Sequence, residues 1–562
     1  MVSTIIIGGG AIGLGVAYHL GQLGVGDVLV LERNTLTSGT SWHAAGIVGP
    51  LRATLSMTRL AMYAGELFPR LEQETGMQTG YRQTGGYWIA RQPERMDELQ
   101  RIAALGRHVG LTPAIITPEQ LAEEVPGLNP QGIVGALSVA EDANVNPVDL
   151  CMTYAKAARN AGITIRENAA VSSILADNGR AAGVRLADGD EIPADNVAIC
   201  AGAWSKLLAE PLGVALPLQP VEHMYVVTEP MDALPAPFPV LRDLERGIYV
   251  KGDTGKLVLG GFEPDAKCWD PASPEGSRPF LEFPEDWDQF APFMEAGLEL
   301  LPALETTGIQ HFMNGPESFT HDTRPLVGRC PGMANLYVAA GLNSVGVMSS
   351  AGVGRALAAW IVNGRAPSDL WEIDVARCDP RAAQSSHMQA RMAEAVADNF
   401  AMHWPYKQPQ AGRDLRRSVL HDQWANAGAV FGLTAGWERG LYYAESDDER
   451  ELPYSVGQQH WQPIAEREAR HMRDGVAMLD LSPFSKFDVS GPGALAALQH
   501  LCTANLDVET SKAVYTLMLN ANGGIEADLT VTRTGINAFR ITSGAATRWK
   551  DLAWLQQNTH GL

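Results

Sequence analysis

The sequence predicts a mixed chain, α/β in one part and α+β in another: a discontinuous unit on a parallel sheet, an antiparallel-sheet domain set into it, and a separate C-terminal part. Three observations carry this. An apolar, β-branched run at residues 3–7 meets a glycine turn and a helical pattern within the first 22 residues. A second strand-turn-helix signal, NLYVAAGLNSVG running into AGVGRALAAWI, comes only at residues 335–361, so the first unit is completed by distant chain. Beyond residue 364 the pattern changes to a Pro- and Asp-containing stretch followed by new short strand and helix signals.

At 562 residues the chain exceeds one ordinary core, and two to four domains are expected. Charged residues at 19% and hydrophobic ones at 46% are ordinary for a folded enzyme. The net charge of -21 repels phosphate backbones and anionic lipid, which excludes nucleic-acid and membrane-surface binding as first readings. Cys151, Cys200, Cys268, Cys330, Cys378 and Cys502 lie far apart, with no CxxC and no metal-ligand spacing, so reduced thiols and no metal are expected. The first 26 residues carry no charge but are broken by eight glycines, which fits a strand, turn and helix rather than a membrane span. With no basic leader or cleavage site at the start, a cytoplasmic protein is expected.

In the first unit Gly8, Gly10 and Gly13 stand at G-x-G-x-x-G spacing between STIII and the helical stretch LGVAYHLGQLG. The second strand, VLVLER, ends in Glu32 and Arg33, with Glu32 19 residues beyond Gly13. Glycines there allow a pyrophosphate to approach a helix N-terminus through Ala11 and Ile12, and a carboxylate ending the next strand accepts from a ribose diol. The unit is a dinucleotide site, and by itself it does not separate NAD from FAD.

The next segment, TSGTSWHAAGIVG at residues 37–49, is rich in small residues that let backbone lie against a planar ring. With GTSWHAAG in this position, the sequence resembles the dimethylglycine and sarcosine dehydrogenase (oxidase) family, and the resemblance extends over nearly the whole chain. It implies a D-amino-acid-oxidase-like fold and FAD bonded covalently through His43, with Trp42, Ala44 and Ala45 beside the ring. A histidine here is otherwise read as a packing or hydrogen-bonding residue. An imidazole on the 8α carbon makes the flavin a better oxidant, which suits a C–H donor next to nitrogen.

Further along, GGYWIARQ reads as a strand, EDANVNPVDL leads into a returning helix, and residues 163–205 read as successive strands with NGR and DGD turns, the last ending in AGAW. By resemblance Val171, Gly202 and Trp204 contact FAD; plain strand packing is the other reading. In LPLQPVEHMYVVTEP, His223 and Tyr225 fall on one strand face, and Tyr249 lies in the first strand of the following hairpin. The resemblance assigns His223 and Tyr249 to catalysis, a neutral histidine hydrogen-bonded to tyrosine taking the ammonium proton so that hydride leaves a carbon beside a free lone pair; a buried structural pair is the alternative. Asn343, Ser344, Val345 and Gly346 open the helix whose N-terminus should face the flavin and stabilise negative charge there. The family pattern holds through NGPESFT, whereas His321-Asp322-Thr323-Arg324 departs from its Pro-Asp-Gly. Arg52 is a possible carboxylate clamp, a structural arginine being the other reading.

Residues 364–395 and HWPYKQPQAGRDLRRS read as a connector. From residue 426 onward, FGLTAGWERGLYYA and NANGGIEADLTVTR resemble a folate-binding aminomethyltransferase module, with Asp528 as its matching carboxylate, equally a turn residue. In the family that module continues beyond the point where this chain stops, so a truncated module is expected, used for structure rather than for productive tetrahydrofolate binding. The expected organisation is an oxidoreductase over residues 1–370 (FAD-binding 1–80, 141–215 and 320–370; substrate domain 81–140 and 216–319), a connector over 371–425, and the partial module over 426–562. The expected activity is oxidative N-demethylation of dimethylglycine or sarcosine, giving an iminium and then formaldehyde or methylene-tetrahydrofolate, with oxygen or an electron-transfer flavoprotein as acceptor. The rivals are deamination of a small amino acid, as by glycine oxidase, and a non-catalytic flavin- or folate-binding protein.

Overall fold

The structure is a computed structural model that describes residues 2–231, 234–235, 237–404, 407–453 and 455–559. Its chain divides into two compact units, Met1–Val375 with Ala383–Trp404, and Ala376–Ala382 with Pro405–Leu562.

In the first unit the opening apolar run forms strand Val2–Ile7 inside an eight-stranded sheet. Its parallel neighbours are Val28–Leu31 and Glu191–Ile199, flanked in turn by Thr164–Arg166 and Leu336–Ala340, also parallel. Leu326–Arg329 adds an antiparallel edge, and the hairpin of Val171–Asp177 with Arg180–Leu186 pairs antiparallel with the start of Glu191–Ile199. Parallel strands covered on both faces read as nearly continuous apolar runs, as Val2–Ile7, Val28–Leu31 and Leu336–Ala340 do, whereas Thr164–Arg166 at the margin is partly exposed and does not. Ile6, Val30, Ala198 and Tyr337 share one core with Val16 and Leu357 of helices Ala11–Gln22 and Gly346–Asn363. The returning helix Pro147–Asn160 starts where predicted, because Asn146 accepts from the Val148 and Asp149 amides at 3.0 and 3.1 Å. The last strand of the 163–205 stretch stops at Ile199, and Gly202–Trp204 forms a single 3-10 turn rather than more strand.

The second sheet runs in the order Ile309–Thr320, Leu218–Thr228, Lys256–Gly261, Ile248–Asp253, Val240–Asp243, Gly86–Ala90, Gly135–Val139, Ala114–Ile116. It is antiparallel except where Val240–Asp243 runs parallel to Gly86–Ala90. The expected antiparallel sheet is thus present, with one parallel pair whose strands lie too far apart in sequence to be joined by a hairpin. Thr254 and Gly255, at φ 51° and 80°, supply the tight turn of the predicted hairpin. Leu218–Thr228 pairs along its length with Ile309–Thr320, so that His223 faces Gly315 and Val221 faces Glu317.

The second unit contains a hairpin, Ala429–Thr434 with Trp437–Tyr443, and a four-stranded antiparallel sheet ordered Ser485–Ser490, Ala538–Ser543, Ile525–Gly535, Ala513–Leu519. Phe487, Val531, Phe539 and Ile541 of that sheet pack with Leu498 of helix Ala494–Leu501. Among the described residues no helix is long and apolar enough to cross a membrane.

Within the first unit, His19 is 4% exposed, its Nδ1 donating to the Gly15 carbonyl at 2.7 Å and its Nε2 3.3 Å from the Tyr63 hydroxyl. Burial pushes its pKa down to about 4. The unfolded chain, with an ordinary value near 6.5, binds more protons than the folded one as pH falls between those values, so stability present at neutral pH is lost through that window, by up to about 3 kcal/mol for this residue. His19→Gln is expected to flatten the fall in Tm between about pH 6.5 and 4, read by thermal denaturation across the range.

Candidate active site

A cavity of about 440 Å³ runs along the first unit. At one end Gly8 and Gly10 of the turn and the helix start Ala11–Ile12 line it. Gly13 lies behind them: a Cβ there would stand 2.0 Å from the Gly8 carbonyl oxygen, so the turn closes only without a side chain. The Glu32 carboxylate lines the cavity too, accepting the Gly9 and Asn34 amides at 2.8 and 2.9 Å. Arg33 stacks over the Trp204 ring at 4.0 Å, and both line this end with Val171, Ser172 and Gly202. Ser41 Oγ accepts the Ala11 amide at 3.0 Å, tying the small-residue segment to the helix N-terminus.

That segment places His43, Ala44 and Ala45 in the cavity wall. His43 is 6% exposed, its Nε2 is buried without a hydrogen-bond partner among the described residues, and burial followed by the nearby charge of His223 pushes its pKa down to about 4. The ring is therefore neutral at pH 7, with its Nε2 uncommitted. It lies against Gly315, where a Cβ would come within 3.0 Å of Nε2. Trp42 does not line the cavity; its ring meets His43 edge-on at 5.5 Å and Phe280 at 5.6 Å.

Strand Leu218–Thr228 brings His223 and Tyr225 to the cavity, and Ile248–Asp253 brings Tyr249. His223 Nδ1 donates to Glu263 Oε2 at 2.8 Å, and Nε2 is 3.4 Å from Ser344 Oγ. The expected histidine–tyrosine bond is replaced by this histidine–glutamate pair: Glu263, fully buried just past the hairpin, also accepts the Met224 amide at 3.0 Å, which locks it under the ring. Burial opposes the His223 charge, but Glu263, with Glu317 further off, raises its pKa above the ordinary value. Holding Nδ1–H on a carboxylate leaves Nε2 as the atom free to accept a proton. The Tyr249 hydroxyl has no hydrogen-bond partner among the described residues, and burial holds its pKa up.

Arg52 and Arg242 also line the cavity. Arg242 is paired to the buried Asp142, so the two guanidiniums are offset by one carboxylate. Burial, and then Arg242, pushes the Arg52 pKa down to about 10, with Asp142 opposing; it stays charged at neutral pH. Phe262 and Phe400 close the wall at 4.6 Å between ring centroids, Phe400 being fixed by Arg95 Nη2 donating to its carbonyl at 2.8 Å.

Ser344, Val345 and Gly346 reach the cavity, but Asn343 turns away: its side chain accepts the Thr320 amide at 2.8 Å and donates to the Gly341 carbonyl at 2.8 Å, fixing the turn instead. Asn343 and Ser344 sit at φ 50° and 63°, and those bonds offset the cost of that backbone. Thr323, in the place of the glycine in the family's Pro-Asp-Gly, adopts φ 57°. Asp528 lies in the second unit, exposed and inside strand Ile525–Gly535 rather than at the hairpin turn, with the Tyr515 hydroxyl donating to it at 3.4 Å. Sequence reasoning missed Glu263, Glu317, Asp142, Arg242 and Phe400. An acid directly after the apolar LVLGGF strand, and another inside NGPESFT, were signals for the first two. Arg242 and Asp142 meet across 100 residues of chain, which no local pattern reports.

Comparison with known proteins yields three family matches: "FAD dependent oxidoreductase" over residues 3–360, "FAD dependent oxidoreductase central domain" over 363–418, and "GCVT N-terminal domain" over 420–561. The chain is 38% identical over 560 residues to 4-methylaminobutanoate oxidase (formaldehyde-forming) of Paenarthrobacter nicotinovorans, covering 100% of this chain and 68% of that protein. It is 33% identical to mitochondrial sarcosine dehydrogenase of Mus musculus (94% of this chain, 61% of that one). It is also 34% identical to the mitochondrial pyruvate dehydrogenase phosphatase regulatory subunit of Mus musculus (99% and 64%). The chain thus spans 61% to 68% of the length of these relatives. The crystal structure of L-proline dehydrogenase from P.horikoshii shares its fold over 67% of this chain and 96% of that one, with a TM-score of 0.60 and 23% identity. The residues present fit FAD: the glycine turn admits a pyrophosphate, Glu32 stands at the end of the second strand, and the buried His43 Nε2 is left without a partner.

Proposed function

The chain belongs to the FAD dependent oxidoreductase family, in the dimethylglycine and sarcosine dehydrogenase group with its GCVT-type C-terminal part, and on that premise we propose that it oxidises an N-methylated amino acid with FAD held covalently through His43. The observation that carries the substrate reading is the charge pattern of the cavity. Two arginines share one carboxylate, which suits a substrate carboxylate, while a histidine backed by a buried glutamate suits an amine that must lose a proton.

FAD, when bound, supplies the hydride acceptor. The chain's own residues do the rest. Arg52, with Arg242 behind it, holds the carboxylate and orients the methylamine toward His223. His223 Nε2 takes the ammonium proton and leaves the lone pair that must develop into the iminium as the methyl hydride departs. Tyr249, free of protein partners at its hydroxyl, orients the amine, while Phe262 and Phe400 exclude water. The N-terminus of helix Gly346–Asn363 favours negative charge at the ring end. Hydrolysis of the iminium gives formaldehyde and the demethylated amino acid; were tetrahydrofolate bound, its nitrogens would take up the same one-carbon unit in place of water, giving methylene-tetrahydrofolate and the same amine.

Glu263 sets the pH at which His223 works. Removing its charge removes the largest influence that raises the His223 pKa, so Glu263→Gln is expected to move the rising limb of the kcat/KM profile to lower pH and to lower the plateau. A limb that stays in place contradicts the pairing.

Product analysis tests the reaction class: formaldehyde with demethylated amino acid supports this reading, and glyoxylate supports the deaminating one. The regulatory-subunit relative favours a second reading, flavin kept without turnover, for which neither product forms.

A further inference from the structure

We propose that Glu317 recognises the protonated methylamine of the substrate, holding the cation beside His223 until its proton is given up; this rests on the reading of the site given above. Glu317 belongs to the NGPESFT strand, two residues beyond Gly315. On that strand pair, Gly315 stands opposite His223 and Glu317 opposite Val221, so Glu317 and His223 are diagonal neighbours on one face of the sheet. Gly315 leaves its own position open for the His43 ring, where a Cβ would stand 3.0 Å from Nε2. The flavin-attachment atom, the base and this carboxylate therefore converge on one patch.

The other carboxylates nearby are committed. Glu32 holds two backbone amides at the nucleotide end, Glu263 holds His223 and the Met224 amide, and Asp142 holds Arg242. Glu317 lines the cavity with Oε1 accepting only the Ser318 amide, at 3.3 Å, and with Oε2 meeting no protein donor among the described residues. A carboxylate taken out of bulk water with so little compensation is destabilised as an anion, and a ligand cation relieves that. The groups facing it are His223, Glu263 and Tyr249, and burial, opposed by His223, pushes its own pKa up. The same cavity is lined by Arg52 and Arg242, which provide the opposite sign, so the lining matches a zwitterion: carboxylate at the arginines, ammonium at Glu317. In the step that follows, the N–H bond of the ammonium breaks and its proton passes to His223 Nε2. The amine becomes neutral, the imidazolium is offset by Glu263 and Glu317, and no electrons are transferred.

The test compares two non-reducing ligands by their perturbation of the flavin spectrum in the holoenzyme. Trimethylglycine carries a fixed cation and no lone pair; (methylthio)acetate has the same carboxylate and a neutral sulfur. Glu317→Gln, close in shape, is expected to weaken trimethylglycine by about 10- to 100-fold, the range of a contact to a charged group, while (methylthio)acetate changes by less than about twofold. Glu317→Asp should recover part of the loss. Equal effects on both ligands, no effect on the cation, or a wild type that does not bind the cation overturns the proposal. Failure of the functional reading shows separately, as wild-type flavin that no methylated amino acid reduces, and it leaves the ligand comparison readable.

Discussion

In His43→Ala the flavin is expected to come free: after acid precipitation the wild-type protein keeps its yellow colour in the pellet and the variant releases it to the supernatant. Burial holds the His43 pKa down at about 4, so the ring is neutral, and its Nε2 meets no hydrogen-bond partner among the described residues while facing the cavity. Neutral Nε2 is the form able to bond carbon, and the ring is held in place by Gly315 on one side and the Trp42 edge on the other. The variant should still bind FAD through the glycine turn, Glu32 and the Ser41-tied helix start, which His43 does not touch. It should be a weaker oxidant, since about 30 mV of two-electron potential is about tenfold in the hydride-transfer equilibrium, and flavin reduction by substrate should slow in the same direction. Wild-type protein that gives up its flavin to acid contradicts the covalent link.

The second large effect is expected at His223. His223→Asn should keep the flavin spectrum and lower kcat/KM by about 10²- to 10⁴-fold, the usual range for a positioned acid–base group. The sign of the pH dependence follows from its surroundings. Glu263 and Glu317 raise the His223 pKa above its ordinary value near 6.5, so the base is protonated at low pH and activity rises as pH climbs through that raised value. In His223→Asn this limb should vanish, leaving only the titration of the substrate amine. If the limb survives unchanged, the proton goes elsewhere, and Tyr249 or Glu317 becomes the group to examine.

Much of this was legible from residue order because it is local chemistry. A β-branched run, glycines at fixed spacing and an acid at the end of the next strand specify a strand, a turn and a carboxylate in one place, and Gly8, Gly10 and Glu32 line the cavity accordingly. The same holds for NLYVAAGLNSVG, where the strand ends at Ala340 and the helix begins at Gly346. Periodicity could not show what a side chain does once its backbone is placed. Asn343 lies in the right turn but uses its amide on Thr320, and Trp42 flanks the right histidine but packs behind it. Nor could it pair residues whose contact depends on the finished sheet. Glu263 reaches His223 only because Lys256–Gly261 pairs beside Leu218–Thr228, and Arg242 meets Asp142 only after two remote segments join the same sheet.

Oxidation of an N-methylated amino acid in this cavity is decided by anaerobic mixing of the flavin-loaded protein with dimethylglycine, sarcosine and 4-methylaminobutanoate in turn. Bleaching of the flavin absorbance by at least one of them is expected, with the rate lost in His223→Asn. Flavin that stays oxidised with all three, in protein that holds its full complement of FAD, would contradict it.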